Sequence, residues 1–462
     1  MIAVYKTLKP QDEAAIVAYG VSEEFLMENA ARGVREFLIE KGLLGKKTLI
    51  VIGGGNNGAD GLSLARMIPS SHIFVATKPK SKLCIAQLER AKKLNLSFVE
   101  YIDGFEVVID ALLGGGATKR LDGELRFLVE KLNAASGVKI AVDIPSGVRD
   151  GMGEEDTVFA ADFTVTFGAP KEALYLDYAK DYIGEVCVKE LGLPTRQYLQ
   201  GFAPSSLLFE KSDFCPPIRV KKNCNKGDFG RLCIVSGDMP GASVIAAKAA
   251  LRFGAGLVAI SSKTTMMVEP QIMTQNALVG SVATLIGQGL GNSHTDDEIL
   301  EIIKASKRCV VDADIFKKEC IKDILALDKR IIFTPHPKEL SCMLKIALNI
   351  DVGVDEIQRH KFDFARLVCG RFPNKCFILK GANTLVAENE KTIIMPHGSQ
   401  ALAKAGSGDA LAGVVSALCA QGYSLLDAAT NGVAAISFAA ANYKGANYSL
   451  TIDELLDGLK WL

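Results

Sequence analysis

Short apolar, β-branched runs alternate with helix-period segments along nearly the whole chain, and no other feature restricts the fold so tightly. Thr48 to Ile52, His72 to Thr77, Glu106 to Leu112, Val138 to Ile144 and Asp162 to Phe167 are close to continuously apolar. Strands of that kind are buried on both faces, as in a parallel sheet wrapped by helices. Such sheets take ligands in the loops beyond the C-terminal ends of their strands. Ahead of the first strand, Ser22 with Glu23 and Glu24 starts a helix whose Leu26, Ala30, Val34, Phe37 and Leu38 form one stripe, and Gly42 ends it. A second series follows at Arg231 to Ser236, Leu257 to Ser261, Ala283 to Gly287, Cys309 to Asp312, Ile331 to Thr334 and Cys376 to Lys380.

A chain of 462 residues exceeds what one core serves, so two α/β domains are expected. Between the two series the pattern lapses over 196–216, through Ala203-Pro204-Ser205-Ser206 and Cys215-Pro216-Pro217, which reads as a linker. Residues 1–210 and 215–462 are the expected domains, the first a Rossmann-like sheet wrapped by helices. No repeat relates the halves, so the chain reads as a fusion.

Lys and Arg number 53 against 53 Asp and Glu, which removes any general field for nucleic acid or a membrane surface. No apolar run approaches the roughly 20 residues that span a bilayer, and the N-terminus lacks a secretory pattern. The 11 cysteines form no Cys-x-x-Cys pair and several sit inside apolar strands, as reduced, buried small hydrophobes do. The expected location is the cytoplasm, with neither a nucleic-acid nor a membrane partner.

The sharpest chemical signal is Gly406-Ser407-Gly408-Asp409, a glycine turn opening an alanine-rich helix. Bare amides and the helix dipole make an anion pocket there. A carboxylate among phosphate-binding amides is awkward unless it takes a proton from a hydroxyl that attacks the phosphoryl group. The plain alternative is that Ser407 or Asp409 only caps the helix.

In the first half, Gly53-Gly54-Gly55-Asn56-Asn57-Gly58-Ala59-Asp60-Gly61 joins a strand to a helix, another anion-binding geometry. Two asparagines and an aspartate suit a hydroxylated ligand or a cation as well as phosphate, whereas Asn-Asn-Gly also favours a simple turn. Asp110 before Gly114-Gly115-Gly116, and Asp143 in Asp143-Ile144-Pro145-Ser146-Gly147, repeat the pattern of an aspartate at an apolar strand's end.

Together with Met27-Glu28-Asn29-Ala30 and Phe167-Gly168-Ala169-Pro170-Lys171, these motifs resemble the NAD(P)H-hydrate epimerase family over most of residues 1–190. The resemblance implies that Asn56, Asn57, Gly58, Ala59 and Asp60, with Gly114, Gly115, Gly116, Ala117, Thr118, Lys119 and Arg120, contact the hydrated dinucleotide. It implies a potassium ion on Asn57, Asp110 and Ser146, hard oxygen donors that suit one. Asp143 is then the acid/base candidate at the nicotinamide C6, with Lys171 a second. Ala59 stands where the family commonly has glycine, and the basic run Thr118-Lys119-Arg120 fits either a 2′-phosphate or a solvated loop.

In the second half, Asn225 to Gly230, Gly237 to Ala242, Leu251 to Gly256, Ile286 to Gly291, Thr334 to Glu339, Lys380 to Thr384 and the Gly406 turn follow one another in order. They resemble the ADP- or ATP-dependent NAD(P)H-hydrate dehydratases, members of the ribokinase-like superfamily, across nearly all of 220–460. By that resemblance Lys380, Gly381, Ala382, Asn383, Thr384 and Gly408 meet the adenine nucleotide, and Ala242, Gly289, His336 and Asp409 line the hydrated nicotinamide pocket, with Asp409 as base. Lys404 and Ala405 depart from the family's small polar residue and glycine. Mg2+ is expected with the phosphates, and a homo-oligomer by analogy. The expected function is repair of hydrated nicotinamide dinucleotides. R- and S-NAD(P)HX are epimerised, and S-NAD(P)HX is dehydrated to NAD(P)H at the expense of ADP or ATP, releasing phosphate. Open at this point are the donor, the choice of NADHX or NADPHX, and a rival reading as a small-alcohol kinase with a non-catalytic N-terminal module.

Overall fold

The computed structural model describes residues 1–275 and 280–462, which form two compact units, Ala3–Ser206 and Leu207–Leu462 with Met1–Ile2. Each is an α/β layer structure and is taken by itself.

In the N-terminal unit, strands β1 (Thr48–Ile52), β2 (Ser71–Val75), β3 (Ser97–Phe98), β4 (Val107–Ala111), β5 (Val138–Val142), β6 (Phe163–Phe167) and β7 (Glu185–Lys189) form a parallel sheet in the order β3-β2-β1-β4-β5-β6-β7. The order reverses between β1 and β4, which opens a crevice at their C-terminal ends. Successive side chains point to opposite faces: Ile50, Ile52, Ile109 and Val142 join a core with helices α2 (Glu23–Glu40), α3 (Asn56–Met67) and α4 (Lys82–Lys93). Leu49, Val51, Val108 and Ala141 pack on the other face against α5 (Gly123–Ala134) through Val129 and Leu132. Helix α1 (Lys9–Tyr19) precedes them. Ser22 caps α2 as the sequence suggests, its hydroxyl accepting from the Phe25 amide at 3.0 Å, and the expected stripe is buried.

The C-terminal unit orders β8 (Ser206–Leu208), β9 (Arg231–Val235), β10 (Leu257–Ser261), β11 (Met273–Gln275), β12 (Ala283–Ile286), β13 (Cys309–Val311), β14 (Ile331–Phe333), β15 (Lys375–Leu379), β16 (Thr384–Glu388) and β17 (Lys391–Met395) as β8-β17-β16-β15-β14-β13-β12-β9-β10-β11. Strands β9 to β15 run parallel, and the ladder β15-β16-β17 is antiparallel. The helices α7 (Pro240–Arg252), α8 (Asp296–Ala305), α9 (Ile321–Ala326), α10 (Pro337–Leu348), α11 (Val354–Arg359), α12 (Lys361–Arg371), α13 (Ser407–Ala420) and α14 (Leu425–Ala441) follow in the chain, and one face of the sheet buries α7, α13 and α14. Their alanine content has a packing cause: a Cβ on Gly413 of α13 would lie 2.3 Å from the Ala246 carbonyl of α7, so the backbones all but touch.

Several expected strands end one or two residues early, because the loop residue that follows leaves the ladder: β4 stops at Ala111, β5 at Val142 and β13 at Val311. The stretch expected as a linker holds α6 (Thr195–Tyr198) and β8. Strands β3, β7, β11, β16 and β17 were not expected; they are short, exposed or charged, so they carry little apolar signal. Among the described residues no helix is long and apolar enough to cross a membrane.

Candidate functional sites

Beyond the C-terminal ends of β1, β4, β5 and β6 lies a cavity of about 640 Å³. Its walls include Asn56, Asn57 and Asp60 of α3, Gly114 to Ala117 after β4, Asp143 after β5 and Lys171 after β6. The sequence gathers these groups because each follows a buried strand or opens the helix behind the crevice.

Asp143 has a left-handed backbone, φ 69°, uncommon for a residue with a Cβ and a sign that the surroundings hold it there. Lys171 Nζ donates to its Oδ1 at 2.7 Å, the Gly115 amide to its Oδ2 at 2.9 Å and Thr166 Oγ1 to Oδ1 at 3.3 Å. Lys171 also donates to Thr166 Oγ1 and the Phe167 carbonyl. Burial pushes the Asp143 carboxyl up, but the lysine's charge and these hydrogen bonds outweigh it and hold the group below the ordinary value. Asp143 is therefore an ionised acceptor at neutral pH.

Asp110 is fully buried and accepts from the Ser146 hydroxyl at 2.7 Å, the Ser146 amide at 2.7 Å and the Leu112 amide at 3.0 Å. Burial still pushes it up to about 6, against those bonds. Asn57 is buried, and among the described residues neither its amide oxygen nor its amide nitrogen has a hydrogen-bond partner. An orphaned amide oxygen and a carboxyl whose charge is destabilised by burial fit a small cation with oxygen ligands.

The remaining N-terminal candidates divide. Gly58 and Ala59 turn inward: Ala59 is fully buried in the core and a Cβ on Gly58 would strike the Gly53 carbonyl at 2.0 Å. Thr118, Lys119 and Arg120 are exposed and are not in the cavity wall. Arg120 pairs with Asp156 at 3.0 Å. Asp12 and Tyr198, absent from the sequence reading, do line the cavity, and Tyr198 donates to Asp12 Oδ1 at 2.7 Å.

In the C-terminal unit the second site assembles from the ends of β9, β12, β13, β14 and β15 and the start of α13. Lys380, just past β15, lies 3.1 Å from Asp312 Oδ1 and 3.6 Å from Glu339 Oε2. Burial alone lowers the lysine, but Asp312 and then Glu339 more than restore it, and it stays cationic above its ordinary value. A Cβ on Gly408 would stand 3.9 Å from that ammonium, which places the cation beside the glycine turn.

Gly406, with φ 91°, is the N-cap of α13, and among the described residues no side chain caps this helix. Ser407 Oγ donates to the Lys404 carbonyl at 2.8 Å. Asp409 is thus spare for chemistry. Burial, then the charge of Asp312, pushes its carboxyl up to about 6, offset in part by Lys380. His336 caps α10 (Pro337–Leu348), its Nδ1 accepting from the Glu339 amide at 3.3 Å, and burial followed by the charge of Lys380 lowers its pKa, so the ring is neutral. Gly289, φ 57°, sits against Ala242, at 3.2 Å from Cβ to Cβ were it alanine. Gly381 and Ala382 are exposed, whereas Asn383 is buried and its carbonyl accepts from Lys361. Lys404 Nζ donates to the carbonyls of Tyr448 and Leu450 at 2.8 Å each, which commits it to tying down the C-terminal segment. Asp312 and Glu339 were missed, although Asp312 repeats the strand-end aspartate of Asp143.

An all-parallel Rossmann-like unit with a cation-compatible crevice, and an α/β unit in which a glycine turn, a lysine and a carboxylate meet at one helix mouth, define a two-site enzyme. Residues 23–173 match the family model described as the YjeF-related protein N-terminus, and 232–459 match that described as NAD(P)H-hydrate dehydratase. The bifunctional NAD(P)H-hydrate repair enzyme Nnr of Helicobacter pylori is 37% identical, covering 100% of this chain and 100% of its own. That of Coxiella burnetii is 31% identical over 97% of each. A solved ADP/ATP-dependent NAD(P)H-hydrate dehydratase from Bacillus subtilis is 23% identical, covers 55% of this chain and 96% of its own, and has a TM-score of 0.48. The chain belongs to the family of bifunctional NAD(P)H-hydrate repair enzymes.

Proposed function

We propose that the N-terminal unit epimerises R- and S-NAD(P)HX and that the C-terminal unit dehydrates S-NAD(P)HX to NAD(P)H at the expense of ADP or ATP. The observation that carries the dehydratase half is Asp409, uncapped and beside Gly408 and the Lys380 cation at one helix mouth. Asp409 takes the proton of the C6 hydroxyl, and the oxygen attacks the terminal phosphoryl group of the nucleotide. Lys380 and the amides around Gly408 hold the phosphate charge. The C6 phosphate then departs as the ring loses a C5 proton and regains its double bond. The sum is NAD(P)HX and ATP to NAD(P)H, ADP, phosphate and a proton, or AMP when ADP is the donor. Mg2+ would arrive with the nucleotide, neutralising its phosphates.

At the other site, Asp143 is the ionised group facing the C6 carbinol. Asn57, Asp110 and Ser146 would hold potassium, which relieves the burial cost of the Asp110 charge. The domains then run over 1–210 and 215–462, with a symmetric oligomer in the cytoplasm, where reduced thiols such as the buried Cys84 and Cys309 persist.

The test is recovery of NADH absorbance from a mixture of NADHX epimers with Mg2+ and K+, adding ADP or ATP in parallel, and with Asp409→Asn as control. Full recovery, faster than spontaneous epimerisation and absent in the control, is expected. No recovery with either nucleotide, or a stable phosphorylated product in place of inorganic phosphate, overturns the reading.

A further inference from the structure

The N-terminal cavity carries more acid than one base requires. Asp12, Asp60 and Asp143 all lie in its wall. Asp143 is tied to Lys171, Gly115 and Thr166, and Asp12 accepts from Tyr198. The Asp60 carboxyl has no hydrogen bond or ion pair with any described residue, although Asp60 is only partly exposed and lines the cavity.

Its position is fixed by helix geometry. Asp60 follows Asn57 by three residues on α3 and so shares its face. Asn57 Cβ and Asp143 Oδ2 both lie against Gly114, at 3.4 Å and 3.1 Å from where its Cβ would be. The α3 face and Asp143 thus border the same space. The ionisable groups around Asp60 are Asp143 after β5, Asp12 of α1 with its Tyr198 partner, Lys171 after β6 and Cys84 of α4. Of the ammonium groups in the wall, that of Lys171 is given to Asp143, while Lys6 pairs with Asp150 and Lys9 with Glu13. Burial first, then the charges of Asp143 and Asp12, push Asp60 well above the ordinary carboxyl value. A carboxyl held below the ordinary value and one pushed above it in the same cavity form the pattern of a base and an acid set apart by environment.

We propose that Asp60 is the proton donor of the epimerase site, giving its proton to N1 of the hydrated nicotinamide ring while Asp143 takes the proton of the C6 hydroxyl. The inference rests on the epimerase reading above. In the forward step the O–H pair becomes the C6=O bond and the C6–N1 bond breaks. Its electron pair goes to N1, which takes the Asp60 proton. The open aldehyde turns about the C5–C6 bond, and N1 attacks its other face. Asp60 recovers the N1 proton and Asp143 returns its own to oxygen, so atoms and charge balance and nothing is oxidised. Asp12, which accepts from Tyr198, adds to the push on the Asp60 carboxyl.

The experiment measures R-epimer turnover by the full chain against pH, coupled to its own dehydratase, for the wild type, Asp60→Asn and Asp60→Glu. S-epimer turnover and the thermal transition report folding. The wild type should show a bell, its basic limb set by loss of the donor. Asp60→Asn should lose about 10²- to 10⁴-fold and its basic limb, while Asp60→Glu keeps the limb at reduced rate. An Asn variant within threefold of wild type, or equal losses in both variants with an unchanged profile, overturns the proposal. Should the Asn variant not fold, carboxyl ¹³C titration of wild-type Asp60 decides: a proton retained above about pH 7 supports the donor and release below about pH 5 overturns it. A wild type that fails to outpace spontaneous epimerisation sinks the epimerase reading instead, which is a separate result.

Discussion

Lys171 and Asp143 form a buried ion pair, Nζ to Oδ1 2.7 Å, in which the aspartate holds a left-handed backbone and the lysine spends its other protons on Thr166 and the Phe167 carbonyl. The pair fixes both the direction and the charge of the carboxylate. Burial would otherwise protonate Asp143, so the lysine acts on the base through its pKa.

That relationship gives a signed pH prediction for Lys171→Met. In the wild type Asp143 is ionised from below its ordinary value upward, so the acidic limb of R-epimer turnover lies low. Without the ammonium, burial dominates and the carboxyl moves up. The acidic limb should move to higher pH, with a loss at pH 7 on the order of 10²-fold that recovers as pH rises. S-epimer turnover should be unaffected. An acidic limb that stays in place would remove Lys171 from this role.

Potassium should stabilise the N-terminal unit measurably. Asp110 rises from an ordinary 3.8 to about 6, so the folded state binds its proton more tightly than the unfolded chain. Stability from this group is therefore full below the ordinary value and lost as pH climbs through about 6. A cation bound by Asp110, Ser146 and Asn57 reverses that loss. Melting in potassium chloride should exceed melting in choline chloride by a few degrees at pH 7.5, and Asn57→Ala should abolish the difference. Equal melting in both salts would leave the orphaned Asn57 amide without a cation.

Two glycines in one turn should respond differently to alanine. Gly406, at φ 91°, would place its Cβ 2.8 Å from Ile452 Cγ1, so Gly406→Ala combines backbone strain with a clash. A cost of about 1–3 kcal/mol in the C-terminal unit is expected from calorimetry. Gly408 has open space, its Cβ meeting only Lys380 Nζ at 3.9 Å. Gly408→Ala should leave melting unchanged and raise the nucleotide KM by roughly tenfold through blocked approach to the amides. A melting loss in Gly408→Ala equal to that of Gly406→Ala would contradict this division.

The strand cores and the glycine loops were legible because burial on both faces writes a continuous apolar run, and a strand-to-helix turn writes glycine beside a polar residue. Thr48–Ile52 and Leu257–Ser261 end where the sequence suggests. The hairpin Thr384–Met395 was not legible, since its turn residues Glu388 to Lys391 and flanking charges dilute the apolar signal. Asp12 and Tyr198 meet across 186 positions, and only the assembled fold brings them together. Asp312 was readable, ending β13 as Asp143 ends β5. Glu339 was hidden, its position at the start of α10 being that of an ordinary capping box. Loop residues such as Arg120 were not legible in direction, because a charge near a motif carries none until its partner, here Asp156, is placed.

The same physics sets the pH dependence of the dehydratase. Asp409 must be ionised to take the C6 hydroxyl proton, and burial together with the charge of Asp312 lifts it to about 6. S-epimer turnover should therefore fall tenfold for each pH unit below about 6 and level off above it. Asp312→Asn removes the like charge that raises Asp409, so the limb should move down. The same change frees the Lys380 ammonium of its closest partner, 3.1 Å away, and strengthens its attraction for phosphate. A lower KM for nucleotide and a more acidic limb are expected together in Asp312→Asn, read from initial rates of NADH recovery between pH 5 and about pH 8. A limb that shifts upward, or one that survives unchanged in Asp409→Asn, would show that another group takes the proton.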